Sequence, residues 1–279
     1  MLLAVVAAAL IVGGALLARS SSHSHAPRAP MIVKVVIPEG STRLQVARIA
    51  ARDGLTGSYL DASRSSRLLS PAAFGAPRGT PNLEGFLFPA TYEIYAGDPA
   101  SRLVEEQLVA FSEKVGHGLD PRARALHLTP YQLLILASLI EREARIPGDR
   151  AKIAAVILNR LRVGMPIGVD ASIYYALELA RGEPTLSGEL TQADLQIASP
   201  YNTRTHKGLP PTPISNPGLA SLLAAAHPDH VPYMYYVAGA DGCGEHKVSI
   251  TEAEFEADAA AYQAAVAANG GQPPVCKHR

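Results

Sequence analysis

The sequence contains only two cysteines and has no excess of charge of either sign. Its 279 residues include 25 Lys or Arg and 25 Asp or Glu, so the formal net charge is zero. This balance excludes the strongly basic footprint that is typical of nucleic-acid-binding proteins. With 48% hydrophobic and 18% charged residues, the composition also excludes a disordered chain and predicts one large domain or two smaller ones.

The short motifs that mark many enzyme classes are also missing. The sequence has no G-x-S-x-G elbow, no phosphate-binding P-loop, no G-x-G-x-x-G after a predicted strand and no convincing S-x-x-K. His206 and His246 stand alone, without an H-E-x-x-H motif or a Cys/His cluster around them. We therefore expect neither a metal nor a cofactor.

The two cysteines, Cys243 and Cys276, both lie in the C-terminal part of the chain. Their spacing is not that of a metal site. In an exported domain they could form one disulfide, but two unrelated thiols fit the sequence equally well. The sequence alone leaves both alternatives open.

The N-terminus carries an uninterrupted apolar run at residues 2–18. At roughly 17 residues it is about as long as the shorter membrane-spanning helices. Residues 20–30, SSSHSHAPRAP, are polar and linker-like and lack a persuasive small-x-small cleavage site. We therefore predict a transmembrane anchor at residues 1–19 rather than a removed signal sequence. No Lys or Arg precedes the run, so the positive-inside rule does not predict its orientation in a membrane.

A small module is predicted after the linker. Residues 31–40 alternate like a strand and end in a turn. Thr42 and Gln45 then have the spacing of a capping box, which predicts the start of a helix. The Pro- and Gly-rich segment at residues 70–85 is the best internal boundary, so we assign this module to residues 31–80.

Residues 81–270 form the larger predicted domain, and residues 271–279 form a C-terminal tail. The pattern of this domain is mainly helical, with a strand at residues 233–239 and a candidate partner at 245–250. We therefore predict an α+β fold in which a small sheet lies beside several helices. The predicted helices cover residues 99–115, 130–145, 149–162, 171–180, 191–198, 217–227 and 251–268.

The stretch ASLIEREAR ends the most apolar of these helices with two glutamates. Thr129, Pro130 and Gln132 give the helix a strong start. Glu141 and Glu143 are two residues apart, so they point about 200° away from each other and cannot act as a pair on one face. Glu143 lies near the polar end of the helix, and we expect it to be a helix-end charge that reaches solvent.

Glu141 is the better candidate for a functional carboxylate. It shares its stripe of the helix with Ala137 and Ser138, whose small side chains leave room for a ligand. A carboxyl group at the end of an apolar helix is partly desolvated, which favours the protonated form that a general acid needs. The alternative is a buried ion pair with Arg142, Arg145 or Arg160.

Three further features have both a structural and a functional interpretation. Asn159 is a polar residue inside an apolar helix, where a satisfied core amide is the common case. Asp170 stands where a helix N-cap is expected. Residues 199–218 contain five prolines, and a loop this long without its own secondary structure is usually functional or disordered.

Five motifs occur in a fixed order over about residues 31–268. They are LEGFLFPATYEI, ASLIEREA, VILNRLRVGMPIGVDASIYYAL, SPYNTRTHKGLPPTPISNPGLASLLAAAHP and YMYYVA followed by GEHKVS. This series resembles that of the endolytic murein transglycosylase family (MltG, YceG-like). The resemblance implies a single-pass inner-membrane anchor, a small LysM-like module at residues 31–80 and a transglycosylase catalytic domain at residues 81–270.

The resemblance also implies a reaction. In this family the β-1,4 bond between N-acetylmuramic acid and N-acetylglucosamine is cleaved inside nascent glycan strands, and the first glutamate of the second motif, which matches Glu141, is the acid. That glutamate protonates the leaving oxygen and then takes the proton of the muramoyl C6 hydroxyl, which closes a 1,6-anhydro ring without water or cofactor. Ordinary glycosidases use two carboxylates, and the sequence offers no obvious second one.

The resemblance further implies which residues contact the sugar. Tyr201, Asn202 and Thr203 would stack on and hydrogen-bond to acetamido sugars, and small Ser138 would leave space beside Glu141. Asn159 and Asp170 are candidates for orienting groups. Two departures from the family pattern weaken the roles of Asp170 and His246, namely Ala171 in place of a proline after the aspartate and KVS where an aromatic often follows the histidine.

The implied partners are peptidoglycan glycan strands and the wall synthases, including penicillin-binding proteins, while nucleic acid is not expected. The implied location is the inner membrane, with the catalytic domain in the periplasm or outside the cell. Two alternatives remain open: a non-catalytic peptidoglycan-binding scaffold with the same fold, and a glycosidase that hydrolyses the bond with water.

Overall fold

The computed structural model describes residues 31–184 and 190–276. The predicted anchor at residues 1–19 and the linker at residues 20–30 lie outside the described residues. Within the described ranges, no single helix has the length and apolar character needed to cross a membrane. One strongly bent pair, Gly116–Ala125 with Pro130–Glu143, meets those criteria only when its two parts are taken together.

The predicted α+β fold is confirmed. The described residues contain two antiparallel two-stranded sheets, β1 (Ile32–Val36) with β2 (Thr91–Tyr95) and β3 (Tyr235–Ala238) with β4 (His246–Ser249). The α-helices in the same ranges are α1 (Arg43–Arg52), α2 (Tyr59–Ala62), α3 (Ala100–Lys114), α4 (Asp120–Ala125), α5 (Pro130–Glu143), α6 (Arg150–Arg162), α7 (Asp170–Arg181), α8 (Gln192–Leu195), α9 (Leu219–Ala226) and α10 (Glu252–Ala268).

The first sheet joins residues from both sides of the predicted boundary at residue 80. Val35 of β1 lies opposite Tyr92 of β2, and both side chains are buried while their neighbours along the strands face solvent. We did not predict β2, because its short alternating run TYEIY follows directly after an apolar loop. The described residues from Ile32 onward fall into one compact unit. The division of the chain near residue 80 stays a prediction.

Helix α5 forms the centre of the core. It begins as predicted, with Thr129 as N-cap, Pro130 in the first turn and a capping box completed by Gln132. Every residue from Leu133 to Ile140 is buried, as the lack of a polar face before Ser138 indicated. Helices α6, α7 and α9 pack against it. This packing places the C-terminal end of α5 where several other segments meet.

The second sheet confirms the strand pairing predicted near the C-terminus. Tyr235 of β3 pairs with Ser249 of β4, and its ring stacks on Phe255 of α10 with the centroids 5.3 Å apart. Cys243 and Cys276 form a disulfide, with their Cα atoms 4.5 Å apart. The structure thereby decides the question that the sequence left open. The bond ties the segment after α10 to the β3–β4 connection.

The helix predicted at residues 191–198 is only one turn long, from Gln192 to Leu195. The side chain of Asn202 donates to the carbonyl oxygens of Leu195 and Ile197 at 3.1 Å each. A continuing helix would need the first of these oxygens for a backbone N–H. The proline-rich loop therefore ends the helix early.

Candidate active site

The two glutamates at the end of α5 have different surroundings, as helical geometry predicted. Glu141 accepts a hydrogen bond at Oε2 from the backbone N–H of Gly218 (2.9 Å). Glu143 accepts from the hydroxyl of Tyr236 at Oε2 (3.0 Å) and, at longer range, from the N–H of Ala171 at Oε1 (3.4 Å). The first glutamate therefore faces α9, and the second faces α7 and β3.

The carboxylate of Glu141 is partly exposed and lies at the N-terminus of α9. Gly218 is the N-cap of this helix, so its N–H and the helix dipole both stabilise a negative charge at Glu141. The other oxygen, Oε1, has no hydrogen-bond donor among the described residues. The expected alternative, an ion pair with Arg142, Arg145 or Arg160, does not form in the part of the chain that the structure describes.

Two glycine backbones lie beside Glu141, whereas the small neighbours that we expected to leave room there are internal. Ala137 and Ser138 are fully buried. Gly40 has φ +75°, and a Cβ added there would lie 3.3 Å from Cγ of Glu141. At Gly218 the backbone itself reaches the carboxylate. Glycine permits this close approach of the backbone to the side chain at both positions.

Glu39, in the turn after β1, lies next to this site and was missed in the sequence. Its carboxylate lies so close to the Cα of Gly218 that a Cβ there would overlap it. Burial and the charge of Glu141 raise the pKa of Glu39, while the guanidinium of Arg150 acts in the opposite direction. The only sequence signal was the turn itself, IPEG, because the partner segments are distant along the chain.

The side chain of Asn216 ties three segments together below the site. It is fully buried, and its Oδ1 accepts from the N–H groups of Gly85 (2.8 Å) and Leu87 (3.1 Å). Its Nδ2 donates to the carbonyl of Ser41 (2.9 Å) and to Oε1 of Glu84 (2.7 Å). All four polar positions of this amide are used. The residue holds the loop before Gly218 in place.

Glu84 is a buried carboxyl group in the same network. Only 2% of the residue is exposed, and both oxygens accept from the N–H of Arg43 at 3.0 and 3.1 Å. The Tyr175 hydroxyl donates to it at 3.3 Å. Burial raises the pKa of Glu84 to about 7, although the hydrogen bond and charge of Arg43 lower it and the charge of Glu178 raises it further. Through these hydrogen bonds Glu84 joins the start of α1 to α7 and to the loop that contains Asn216.

Ser138 and Asn159 both make hydrogen bonds to distant segments of the chain, and the orienting role of partly exposed Asn159 stays a prediction. The hydroxyl of Ser138 donates to the carbonyl of Ile135 (2.7 Å) and accepts from the N–H of Ile214 (3.1 Å). The amide of Asn159 donates to the carbonyl oxygens of Val231 (2.8 Å) and Tyr233 (2.9 Å). Ser138 could not reach a sugar without rearrangement, since it is fully buried.

The predicted sugar-binding triplet is mostly internal as well. Asn202 is fully buried and Thr203 is 1% exposed. The Thr203 hydroxyl accepts from the N–H of Val169 (2.9 Å) and bonds the Ser172 hydroxyl (2.9 Å). Tyr201 is partly exposed, with its hydroxyl 2.8 Å from that of Thr212. Of these three residues, only Tyr201 is partly exposed. Its direct contact with sugar stays a prediction.

Asp170 is not an N-cap, which corrects our expectation. It is the first residue of α7, and Val169 occupies the cap position without a side-chain cap. The carboxylate of Asp170 pairs with Arg204 through both Nε (2.7 Å) and Nη2 (2.6 Å). The next residue, Ala171, supplies an N–H to Glu143. A proline at this position, as in the family pattern, could not donate it.

Glu143 does not reach freely into solvent, which corrects a second expectation. Burial is the main cause that raises its pKa, and the charge of Asp170 adds to it, while the Tyr236 hydroxyl lowers it. His246 is not isolated either, because its Nδ1 lies 2.9 Å from Oδ2 of buried Asp149 and its ring meets that of Tyr236 edge-on at 5.4 Å. Strand β3 meets the end of α5 through the Tyr236 hydroxyl.

Comparison with known proteins places these features in a family. The model of the YceG-like family matches residues 15–261. The chain belongs to the YceG-like family. The resemblance predicted from the five motifs is thereby confirmed. No group of three or more His, Cys, Asp or Glu in the described part of this YceG-like chain is arranged to hold a metal.

Two relatives of this YceG-like chain have the same name, endolytic murein transglycosylase. An endolytic murein transglycosylase of Bacillus subtilis (strain 168) is 36% identical over 160 residues, which are 57% of this chain and 43% of the relative. One of Streptococcus pneumoniae serotype 2 (strain D39 / NCTC 7466) is 30% identical over 230 residues, or 76% of this chain and 41% of the relative. The chain thus spans about two fifths of the length of these relatives.

A solved structure supports the same fold. The crystal structure of a yceG-like protein from Listeria monocytogenes matches 80% of this chain and 75% of its own chain, with a TM-score of 0.69 and 30% sequence identity.

Proposed function

We propose that this YceG-like protein is an endolytic lytic transglycosylase that cleaves the β-1,4 bond between N-acetylmuramic acid and N-acetylglucosamine in peptidoglycan glycan strands. The observation that carries the proposal is the carboxylate of Glu141. The residue is partly exposed, one oxygen has no donor among the described residues, and the other accepts from the N–H of Gly218. The names of the relatives agree with this chemistry.

The reaction needs one acid that acts twice. Protonated Glu141 gives its proton to the glycosidic oxygen, and the bond between C1 of the muramoyl unit and that oxygen breaks. The muramoyl C6 hydroxyl then attacks C1, and its proton returns to Glu141, which restores the starting state. Between the two steps Glu141 is a carboxylate, the form that the Gly218 N–H and the α9 N-terminus stabilise.

Glu143 is a second candidate for the acid, because burial raises its pKa and so favours the protonated form. Both residues are partly exposed, and their hydrogen bonds favour Glu141. Both oxygens of Glu143 accept from protein donors, Tyr236 and Ala171. A substrate oxygen would have to displace one of these donors. We therefore assign proton transfer to Glu141 and a supporting role to Glu143.

Several larger roles belong to the same proposal. Residues 31–80 would be a LysM-like module, and residues 1–19 would anchor the chain in the inner membrane with the catalytic domain outside the cytoplasm. The enzyme would set glycan strand length and work beside synthases such as penicillin-binding proteins. The support for these roles is the family resemblance. A non-catalytic scaffold that only binds strands is the competing function.

The decisive experiment is digestion of purified glycan strands with the protein and its Glu141→Gln and Glu143→Gln variants, followed by mass spectrometry of the chain ends. We expect new 1,6-anhydro ends with the wild type and none with Glu141→Gln. Reducing ends would instead show hydrolysis by water, and binding without cleavage would show a scaffold. Full activity of Glu141→Gln with loss in Glu143→Gln would move the acid to Glu143.

A further inference from the structure

The turn between β1 and α1 carries a carboxylate that the mechanism above does not use. The carboxylate of Glu39 lies against the Cα of Gly218, and the N–H of that glycine donates to Oε2 of Glu141. A single residue therefore lies between the two acids. From its bond lengths and the contacts on either side, their nearest oxygens can be no more than about 8 Å apart.

Hydrogen bonds fix this turn in place. Gly40 donates to the carbonyl of Asn216 (2.9 Å), and the N–H of Asn216 returns to the carbonyl of Ser41 (3.0 Å). The guanidinium of Arg142, next to Glu141 on α5, donates to the carbonyl of Gly40 (3.2 Å). The turn thus moves as one unit with the site, and its carboxylate is held ready for a ligand.

Glu39 makes no hydrogen bond or ion pair with any described residue. Burial together with the charge of Glu141 raises its pKa. Arg150, the cation that offsets this repulsion, binds Ser221 through Nε (3.1 Å). Glu39 is exposed to solvent, so a ligand can reach it. A bound sugar would supply what the protein does not, since its hydroxyl and acetamido N–H groups are donors.

We propose that Glu39 is a second carboxylate of the active site, which contacts the bound sugar and stabilises the positive charge that develops at C1 as the glycosidic bond breaks. This inference rests on the proposed function. Glu39 forms no covalent bond and transfers no proton, because the proton leaves Glu141 for the departing oxygen and returns from the C6 hydroxyl. The sequence had offered no obvious second acid.

The upper limit on the separation of the two carboxylates is compatible with such a role. Enzymes that cleave glycosidic bonds hold their paired carboxyl groups about 5 to 9.5 Å apart, and the nearest oxygens of Glu39 and Glu141 are at most about 8 Å apart. A fixed negative charge near C1 favours the oxocarbenium-like transition state over the neutral substrate. Glu39 should therefore act on turnover more than on binding.

The test compares the full-length proteins Glu39→Gln, Glu39→Asp and Glu141→Gln with the wild type, using purified glycan strands. The matched control is Glu93→Gln, the same change at an exposed position of β2, the strand that pairs with β1. We expect Glu39→Gln to lower kcat about 100-fold with little change in KM. Its thermal midpoint should equal or exceed that of the wild type, because the repulsion with Glu141 is removed.

We also expect an intermediate rate for Glu39→Asp and a wild-type rate for Glu93→Gln. Every active variant should form anhydro ends. Activity of Glu39→Gln within about twofold of the wild type would overturn the proposal. So would a loss of activity that parallels a loss of thermal midpoint, since that indicates a structural role. If the wild type formed reducing ends and Glu39→Gln did not, Glu39 would act as a base that activates water, which contradicts the proposed role.

The two proposals fail in different ways. An inactive Glu141→Gln beside a fully active Glu39→Gln would remove only the role of Glu39. A wild type that forms no anhydro ends, or a fully active Glu141→Gln, would remove the proposed function or its acid.

Discussion

Raising the pH from about 5 to about 8 should weaken the fold through one buried carboxyl group, that of Glu84. Its pKa is raised from the ordinary 4.5 to about 7 in the folded protein. Because the folded value lies above the unfolded one, the folded state holds the proton more tightly. The stabilising contribution is complete below pH 4.5 and is lost as the pH rises through about 7.

The size of this effect follows from the two values. Each pH unit between them is worth about 1.4 kcal/mol, so the full effect is about 3 kcal/mol, of which roughly 2.5 kcal/mol falls between pH 5 and pH 8. Glu84 is buried, so solvent screens this charge little. The groups facing it, Arg43, Glu178 and Tyr175, are already included in its pKa.

The assay is urea unfolding followed by circular dichroism at four pH values from 5 to 8. Glu84→Gln cannot ionise, so its stability should fall less with pH than that of the wild type by about 2.5 kcal/mol. The contribution of Glu143, whose pKa is also raised, is common to both proteins and cancels. Exposed Glu113 serves as the control, and Glu113→Gln should keep the wild-type pH dependence. Equal slopes for Glu84→Gln and wild type would refute the reasoning.

Three other predictions follow from single contacts. Replacing Cys243 and Cys276 by serine removes a crosslink between residues 33 apart, and the free energy of unfolding should fall by about 3 to 4 kcal/mol in denaturant melts; an unchanged midpoint would mean that the bond does not form. Gly85→Ala places a Cβ 2.5 Å from Cγ of Pro213 at φ +89°, so we expect the free energy of unfolding to fall by about 2 to 4 kcal/mol in the same assay. Gly79→Ala is the control, because no atom lies within 4 Å of the added Cβ there, and its loss should be smaller. Tyr236→Phe removes the hydroxyl that donates to Glu143 and should cost about 1 to 3 kcal/mol, more at high pH than at low pH, because the carboxylate form loses its donor; a cost independent of pH would contradict this.

Local rules predicted most of the helices, because their signals lie within one turn of chain. The capping boxes that begin at Thr42, Thr129 and Thr251 each join residues three apart, and all three are present. The exception is α8, which a distant side chain, that of Asn202, ends early. Strand β2 was missed for the related reason that its partner β1 lies some sixty residues earlier.

The candidate site divides in the same way. The sequence by itself determined that Glu141 and Glu143 face apart, because a helix rotates its residues by a fixed angle, and the order of its motifs determined the family. Only the tertiary structure decided what each carboxylate meets. Gly218 and Gly40 approach Glu141 from far along the chain, while Ser138, Asn202 and Thr203, which we expected to contact sugar, are buried. Contacts between distant segments depend on how all the helices pack, and no local pattern encodes that.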